Sequence, residues 1–172
     1  MLNVLMERRT IRRFTNREIE QEKIALLHEI LLRSPSGKNS RPWEFIFVDN
    51  PDLICALKKC RATGTKALET APLAIAVCAY EKITDTWVED CSIAAILLQV
   101  AAGAIGLGSC WIQIRNRFSS ENKSTEEIVH ELLRIPLNIR VLCLITIGYP
   151  DETKEPKQTS DLDFGKIRRN TY

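Results

Sequence analysis

The sequence predicts a single α+β domain built around one sheet. Three observations lead there. Segments with a helical apolar period alternate with short β-rich runs along nearly the whole chain. Two of those runs, Leu73–Tyr80 and Arg140–Ile147, are almost continuously apolar, as strands covered on both faces are. No repeat, low-complexity tract or linker divides the 172 residues, a length that suits one substantial core rather than two.

The elements follow in order. Asn16 to Arg33 has the pattern of an amphipathic helix, with acids in its first turns and Ile24, Leu27, Ile30 and Leu31 on one face. Ser34-Pro35-Ser36-Gly37 ends it, and the loop runs on to Pro42. Trp43–Val48 (WEFIFV) is aromatic and β-branched, hence a strand. Asn50-Pro51 opens a second helix reaching about Cys60, with proline suited to a first turn. A short helical piece is expected around Thr65–Glu69, and Leu73–Tyr80 is the next strand.

Thr86 to about Ile105 is the long central helix, followed by a strand from Ser109 to Gln113. Within this region Ile93–Ile112 is uncharged and as long as a membrane span. Its five alanines, Gln99 and the glycines crowded at its end favour a core helix passing into a strand. Ser124, with Glu127 three residues on, announces a capping box and a helix to Arg134. Arg140–Ile147 is the last strand. Residues 151–172 are polar and cannot form a core alone, so they are expected to be disordered or laid along another surface.

A net charge of +2 gives no reason to expect nucleic acid, but its distribution is uneven. Arg8, Arg9, Arg12, Arg13 and Arg17 crowd the first seventeen residues, against Glu7 alone. Guanidinium forks match a phosphate monoester bidentately, and the Thr10 hydroxyl would add a directional bond. In an extended segment Arg8, Thr10 and Arg12 share a side. The same cluster also suits a solvated basic stretch or a nucleic-acid patch. The loop Ser34–Trp43 has two readings too: backbone groups offered to a planar heterocycle, or an ordinary helix-to-strand turn.

Other chemistries lack their residues. The six cysteines show no C-x-x-C pair and the chain holds two histidines, so zinc and iron–sulfur frameworks are not expected. Cysteines in apolar runs, and an N-terminus interrupted by Glu7–Arg9, fit a reducing cytoplasm without a secretory signal. Gly106-Leu107-Gly108-Ser109 follows a helix rather than a strand, so it is not a dinucleotide fingerprint, and no P-loop occurs. His28 and His130 lie in helices with no nucleophile to serve. So little acid–base machinery suits an enzyme whose cofactor carries the chemistry.

Five motifs together resemble the nitroreductase family of FMN-dependent oxidoreductases. They are Arg-Arg-Thr-x-Arg-x-Phe at 8–14, Ser-Pro-Ser-Gly-x-Asn-Ser-x-Pro-Trp at 34–43, Ala-Pro-Leu-Ala-Ile-Ala-Val at 71–77, Gly-Leu-Gly-Ser-Cys-Trp at 106–111 and Ile-Gly-Tyr-Pro at 147–150. The resemblance implies one nitroreductase-like α+β domain over residues 1–172, with a central mixed sheet flanked by helices. It implies a homodimer binding two FMN at its interface, the tail 151–172 packed on the partner, and no metal, nucleic acid or membrane. By the same resemblance, Arg8, Arg9, Thr10 and Arg12 hold the phosphate and ribityl chain, joined by Lys157. Pro35, Ser36, Gly37, Asn39 and Arg41 border the isoalloxazine from the partner, and the backbone at Ile112 and Gln113 approaches the flavin. NAD(P)H is the implied hydride donor, and a nitroaromatic, quinone or similar molecule the acceptor. No catalytic acid, base or nucleophile is assigned. Two departures stand out: Arg41 replaces a glutamine common in the family, and Gln158-Thr159 lacks the arginine that often follows Lys157.

Overall fold

The computed structural model describes residues 2–172. Four strands form one sheet: β1 (Trp43–Val48), β2 (Leu73–Ala79), β3 (Gly108–Gln113) and β4 (Arg140–Gly148), in the spatial order β1-β2-β4-β3. All three pairings are antiparallel, so within one chain the sheet is antiparallel rather than mixed. The alternation of helix and strand made crossovers legible but left strand direction open. The apolar runs arise because helices cover both faces, not because the strands are parallel.

Period-two alternation along β2 sorts its side chains between those faces. Leu73, Ile75, Val77 and Ala79 meet α2 (Gln21–Leu32) and α4 (Trp87–Ala104). Ala74, Ala76 and Cys78 meet α3 (Pro51–Leu57) and α5 (Thr125–Leu133). The sheet is thus the middle of three layers. Helix α4 is apolar and long enough to cross a membrane by composition, but it lies along the sheet and buries Cys91, Ala94, Ala95, Leu98 and Ala102 there. Ile93, Ile96 and Leu97 remain exposed on its other flank.

Several local expectations need correction. Helix α2 begins at Gln21, not Asn16. Residues 16–20 stay off the helix because the Thr15 N–H donates to the Tyr149 carbonyl and the Tyr149 hydroxyl to Glu20 Oε2 (2.5 Å). Tertiary contact here overrides acidic helix-start chemistry. Ser124 makes no side-chain cap on α5; it bridges to Phe118 instead, so the capping box does not form. Asn50 does cap α3, accepting from the N–H groups of Asp52 and Leu53. A short helix, α1 (Leu2–Glu7), was not foreseen. It buries no residue of its own and rests on α4, where Gly103 leaves room for Val4.

Candidate functional site

Residues 8–14 lie against the open ends of β3 and β4. The Ile11 N–H donates to the Ser109 carbonyl (3.0 Å), Phe14 bridges Pro150, and the Asp151 N–H donates to the Arg13 carbonyl (2.9 Å). Buried Ile11 and Phe14 anchor the segment, each worth about 1.5–3 kcal/mol when fully removed from water. Two glycines permit this approach. A Cβ at Gly108 would lie 2.8 Å from the Ile11 Cβ, and one at Gly148 would lie 2.7 Å from Pro72 and 3.0 Å from Phe14. The Gly-Leu-Gly-Ser and Ile-Gly-Tyr-Pro motifs therefore matter through what packs on them, not through a nucleotide fingerprint.

Anchored in this way, the segment opens a cleft of about 850 Å³. Arg8, Arg9, Thr10 and Arg12 line it on one side, and Lys154, Lys157, Gln158 and Thr159 of the tail on another. Leu2, Leu5, Met6 and Leu162 give it an apolar rim. Five cations and no carboxylate line this space. Between unit charges about 4 Å apart, attraction rises from about 1 kcal/mol in bulk water to about 4 kcal/mol near a protein surface, so the cleft strongly favours a compact anion. Arg13 is not part of it: its guanidinium turns to Asp151 (2.8 Å), which raises its pKa.

The tail builds half of the cleft. Lys154 Nζ donates to the Thr10 carbonyl (2.6 Å) and pairs with Glu152 (3.0 Å), and Arg9 donates to the Glu155 carbonyl. Lys154 and Glu152 were not singled out from the sequence, because a polar, charge-balanced tail carries no periodic signal. The nearest hint was the three-residue spacing of Lys154 and Lys157. Cys110 sits beneath, its thiol pushed up by burial while the charges of Arg12 and Lys154 pull it back.

The second predicted cluster lies elsewhere in the protomer. The Gly37 N–H donates to buried Asp90 on α4 (2.8 Å), and a Cβ there would strike Thr86. Ser36 Oγ accepts from the Arg41 N–H (2.9 Å), and Arg41 Nε donates to Asn39 Oδ1 (2.9 Å). Lys38, Asn39 and Arg41 all adopt positive φ, a conformation non-glycine residues rarely take and one that concentrates at ligand-binding loops. Asn39 and Arg41 are exposed, and Arg41 lines a groove of about 610 Å³ with His28, Trp43, Phe45 and Phe47. Pro35 and Ser36 belong to this loop and not to the cationic cleft.

Ile112 and Gln113 fall in neither place. The Ile112 side chain is fully buried in the core. The Gln113 carbonyl accepts from Arg61 (3.0 Å), and its side chain links Trp111 Nε1 to the Arg115 carbonyl. Neither histidine faces the cationic cleft: His28 packs edge-on against Phe47, and His130 lies beside Glu126 (4.0 Å). Among the described residues no three His, Cys, Asp or Glu side chains come together in a way that could hold a metal ion.

Fold and cleft together define an α+β layer protein with a cleft lined by five cations at one end of its sheet. The chain belongs to the nitroreductase family, whose model matches residues 5–80 and 56–149. It is similar to an Archaeoglobus fulgidus protein named as an NADH dehydrogenase/NAD(P)H nitroreductase, 32% identical over 164 residues, covering 93% of this chain and 91% of that one. Among solved structures, an FMN-dependent nitroreductase from Clostridium difficile superposes with a TM-score of 0.97 at 42% identity, with both chains covered completely. An NADPH:FMN oxidoreductase from Vibrio harveyi, solved with NAD+, shares the fold at a TM-score of 0.82 and 21% identity, over 99% of this chain and 77% of that one.

Proposed function

We propose that the protein is an FMN-dependent oxidoreductase, acting as a homodimer in a reducing cytoplasm. It takes hydride from NAD(P)H and reduces a nitroaromatic, a quinone or a similar small acceptor. The observation that carries this reading is the cationic cleft, where a phosphate dianion would meet three kinds of donor. Arg8, Arg9 and Arg12 offer guanidinium forks, and Thr10 a hydroxyl; Lys154 and Lys157 add point charges. Donor set and ligand match in charge and in hydrogen-bonding sense.

Bound FMN supplies the redox-active ring that exchanges hydride with donor and acceptor. The protein's own groups bind, orient and polarise. The partner's copy of the Pro35–Arg41 loop would border the ring, with the exposed Asn39 offering its side-chain amide. The exposed Ile93, Ile96 and Leu97 flank of α4 and the exposed Leu162, Phe164, Ile167 and Tyr172 of the tail are the apolar surfaces a second copy would cover. Six free cysteines, five of them buried, suit a compartment that keeps thiols reduced.

The test is spectroscopic and kinetic. Purified protein is expected to carry a flavin spectrum near one FMN per chain and to oxidise NAD(P)H when a nitroaromatic or quinone is added. Flavin bound without turnover with either nucleotide would make it a flavin store or sensor. Absence of flavin affinity would remove the proposal altogether.

A further inference from the structure

Glu152 is an acid placed against a site that binds an anion. Its carboxylate can only repel a phosphate, so its position calls for a geometric reason. Glu152 Oε1 accepts from the main-chain N–H of Arg12 (2.5 Å) and of Arg13 (3.3 Å). The Arg13 carbonyl is taken by the Asp151 N–H (2.9 Å) and the Thr10 carbonyl by Lys154 Nζ (2.6 Å). Beyond the single bridge between Phe14 and Pro150, no strand pairing reaches Arg12 and Arg13. Their N–H groups would otherwise lie open beside the cleft, where a backbone donor without a fixed partner leaves the chain free to move.

We infer that Glu152 is a positioning residue for FMN: by holding the Arg12 and Arg13 N–H groups, it fixes the extended trace from which Thr10 and Arg12 reach the phosphate. Lys154 completes the device, pairing with Glu152 (3.0 Å) and so offsetting the charge that Glu152 brings. The role needs an acceptor oxygen, not a negative charge. It rests on the phosphate reading of the cleft.

That distinction gives a test with opposite signs. Apoprotein is titrated with FMN and with riboflavin, which lacks the phosphate, for wild type, Glu152→Gln and Glu152→Ala. The amide variant retains an acceptor oxygen and removes the repulsion, so its FMN affinity should equal or exceed wild type. The alanine variant should lose FMN affinity about tenfold, the scale of one hydrogen-bonded contact, with riboflavin unchanged. Hydrogen exchange at the Arg12 and Arg13 amides supplies a readout independent of flavin: protected in wild type and Glu152→Gln, fast in Glu152→Ala. If the alanine variant does not fold, Glu152→Gln decides alone. A tenfold loss of FMN affinity there means that charge, not geometry, was the role, and overturns the inference. Wild type that prefers FMN, with an alanine variant of equal preference, overturns only this inference. Wild type that binds both ligands equally overturns the phosphate reading as well.

Discussion

The cationic cleft and the Ser34–Arg41 loop are held in place by different means. The cleft is assembled within one chain from its two ends, each holding the other: Glu152 and Lys154 grip residues 10–13, while Gly108 and Gly148 let that segment press on the sheet. The loop is fixed from behind by Asp90 and presents exposed side chains on left-handed backbone, Arg41 being tied within the loop to Ser36 and Asn39. Under the proposed function the two surfaces are halves of one FMN site, which a second copy of the chain would complete.

The most disruptive way to break the cleft while sparing the loop is to end the chain after Pro150. This removes Lys154, Lys157 and the grip of Glu152, together with the exposed apolar residues of the tail. FMN binding should be lost and the dimer should become monomer or aggregate, as read by titration and light scattering. A truncated protein that stays dimeric and yellow would leave the tail without its assigned role.

Arg8→Ala and Arg12→Ala probe the same half more gently. Each should weaken FMN binding by about 1.5–3 kcal/mol per lost charge-assisted bond, with riboflavin affinity unchanged. Isothermal titration of both ligands checks it. Equal losses for FMN and riboflavin would mean that the arginines support the fold and not the phosphate.

Arg41 sharpens the other half. Its guanidinium, tied to Asn39 Oδ1, would lie near the flavin ring and stabilise the anionic reduced form. Arg41→Gln should lower the flavin midpoint potential and leave FMN affinity nearly unchanged; one pKa unit of such stabilisation is about 1.4 kcal/mol. An identical potential in spectroelectrochemistry would make Arg41 an ordinary loop residue.

The smallest effect belongs to the clasp behind the arginine segment. The Tyr149 hydroxyl holds Glu20 at a pKa of about 2, below the usual 4.5 of a glutamate, with Lys23 donating to the same hydroxyl (2.7 Å) and Arg17 stacked on the ring. A depressed carboxylate pKa contributes stability above its unfolded value and loses it as pH falls toward the folded one. Tyr149→Phe should therefore lower Tm slightly near neutrality, and the gap from wild type should close as pH drops from about 4.5 toward about 2. A gap independent of pH would place the effect in packing instead.

How much of this was legible in the sequence follows from the physics of each part. Strand Trp43–Val48 was read with its true ends, because an aromatic, β-branched run between Pro42 and Asn50 leaves little choice. That Arg8, Thr10 and Arg12 face one side was legible, because dense charge and the period of an extended segment are local information. Helix α1 and the late start of α2 were not, since Gly103 and Tyr149, far away in sequence, decide them. Glu152, Lys154 and Asp90 were missed for the same reason: each acts through a backbone group about 50 to 145 positions distant, and no periodicity records that. The separation of cleft and loop was suggested by family resemblance alone, and in the structure they line different surfaces.

The central claim, that one protomer's cleft and the partner's loop make a single FMN site, is tested most directly by a mixed dimer. One chain carries Arg8→Ala with Arg12→Ala, the other Asn39→Ala with Arg41→Ala, each with its own affinity tag so that the heterodimer alone is purified. Each homodimer should bind FMN weakly. In the heterodimer one site inherits both defects and the other inherits none, so a single site of wild-type affinity per dimer should appear in the titration. A heterodimer in which no site recovers wild-type affinity would show that cleft and loop do not meet across the dimer, and would contradict the account.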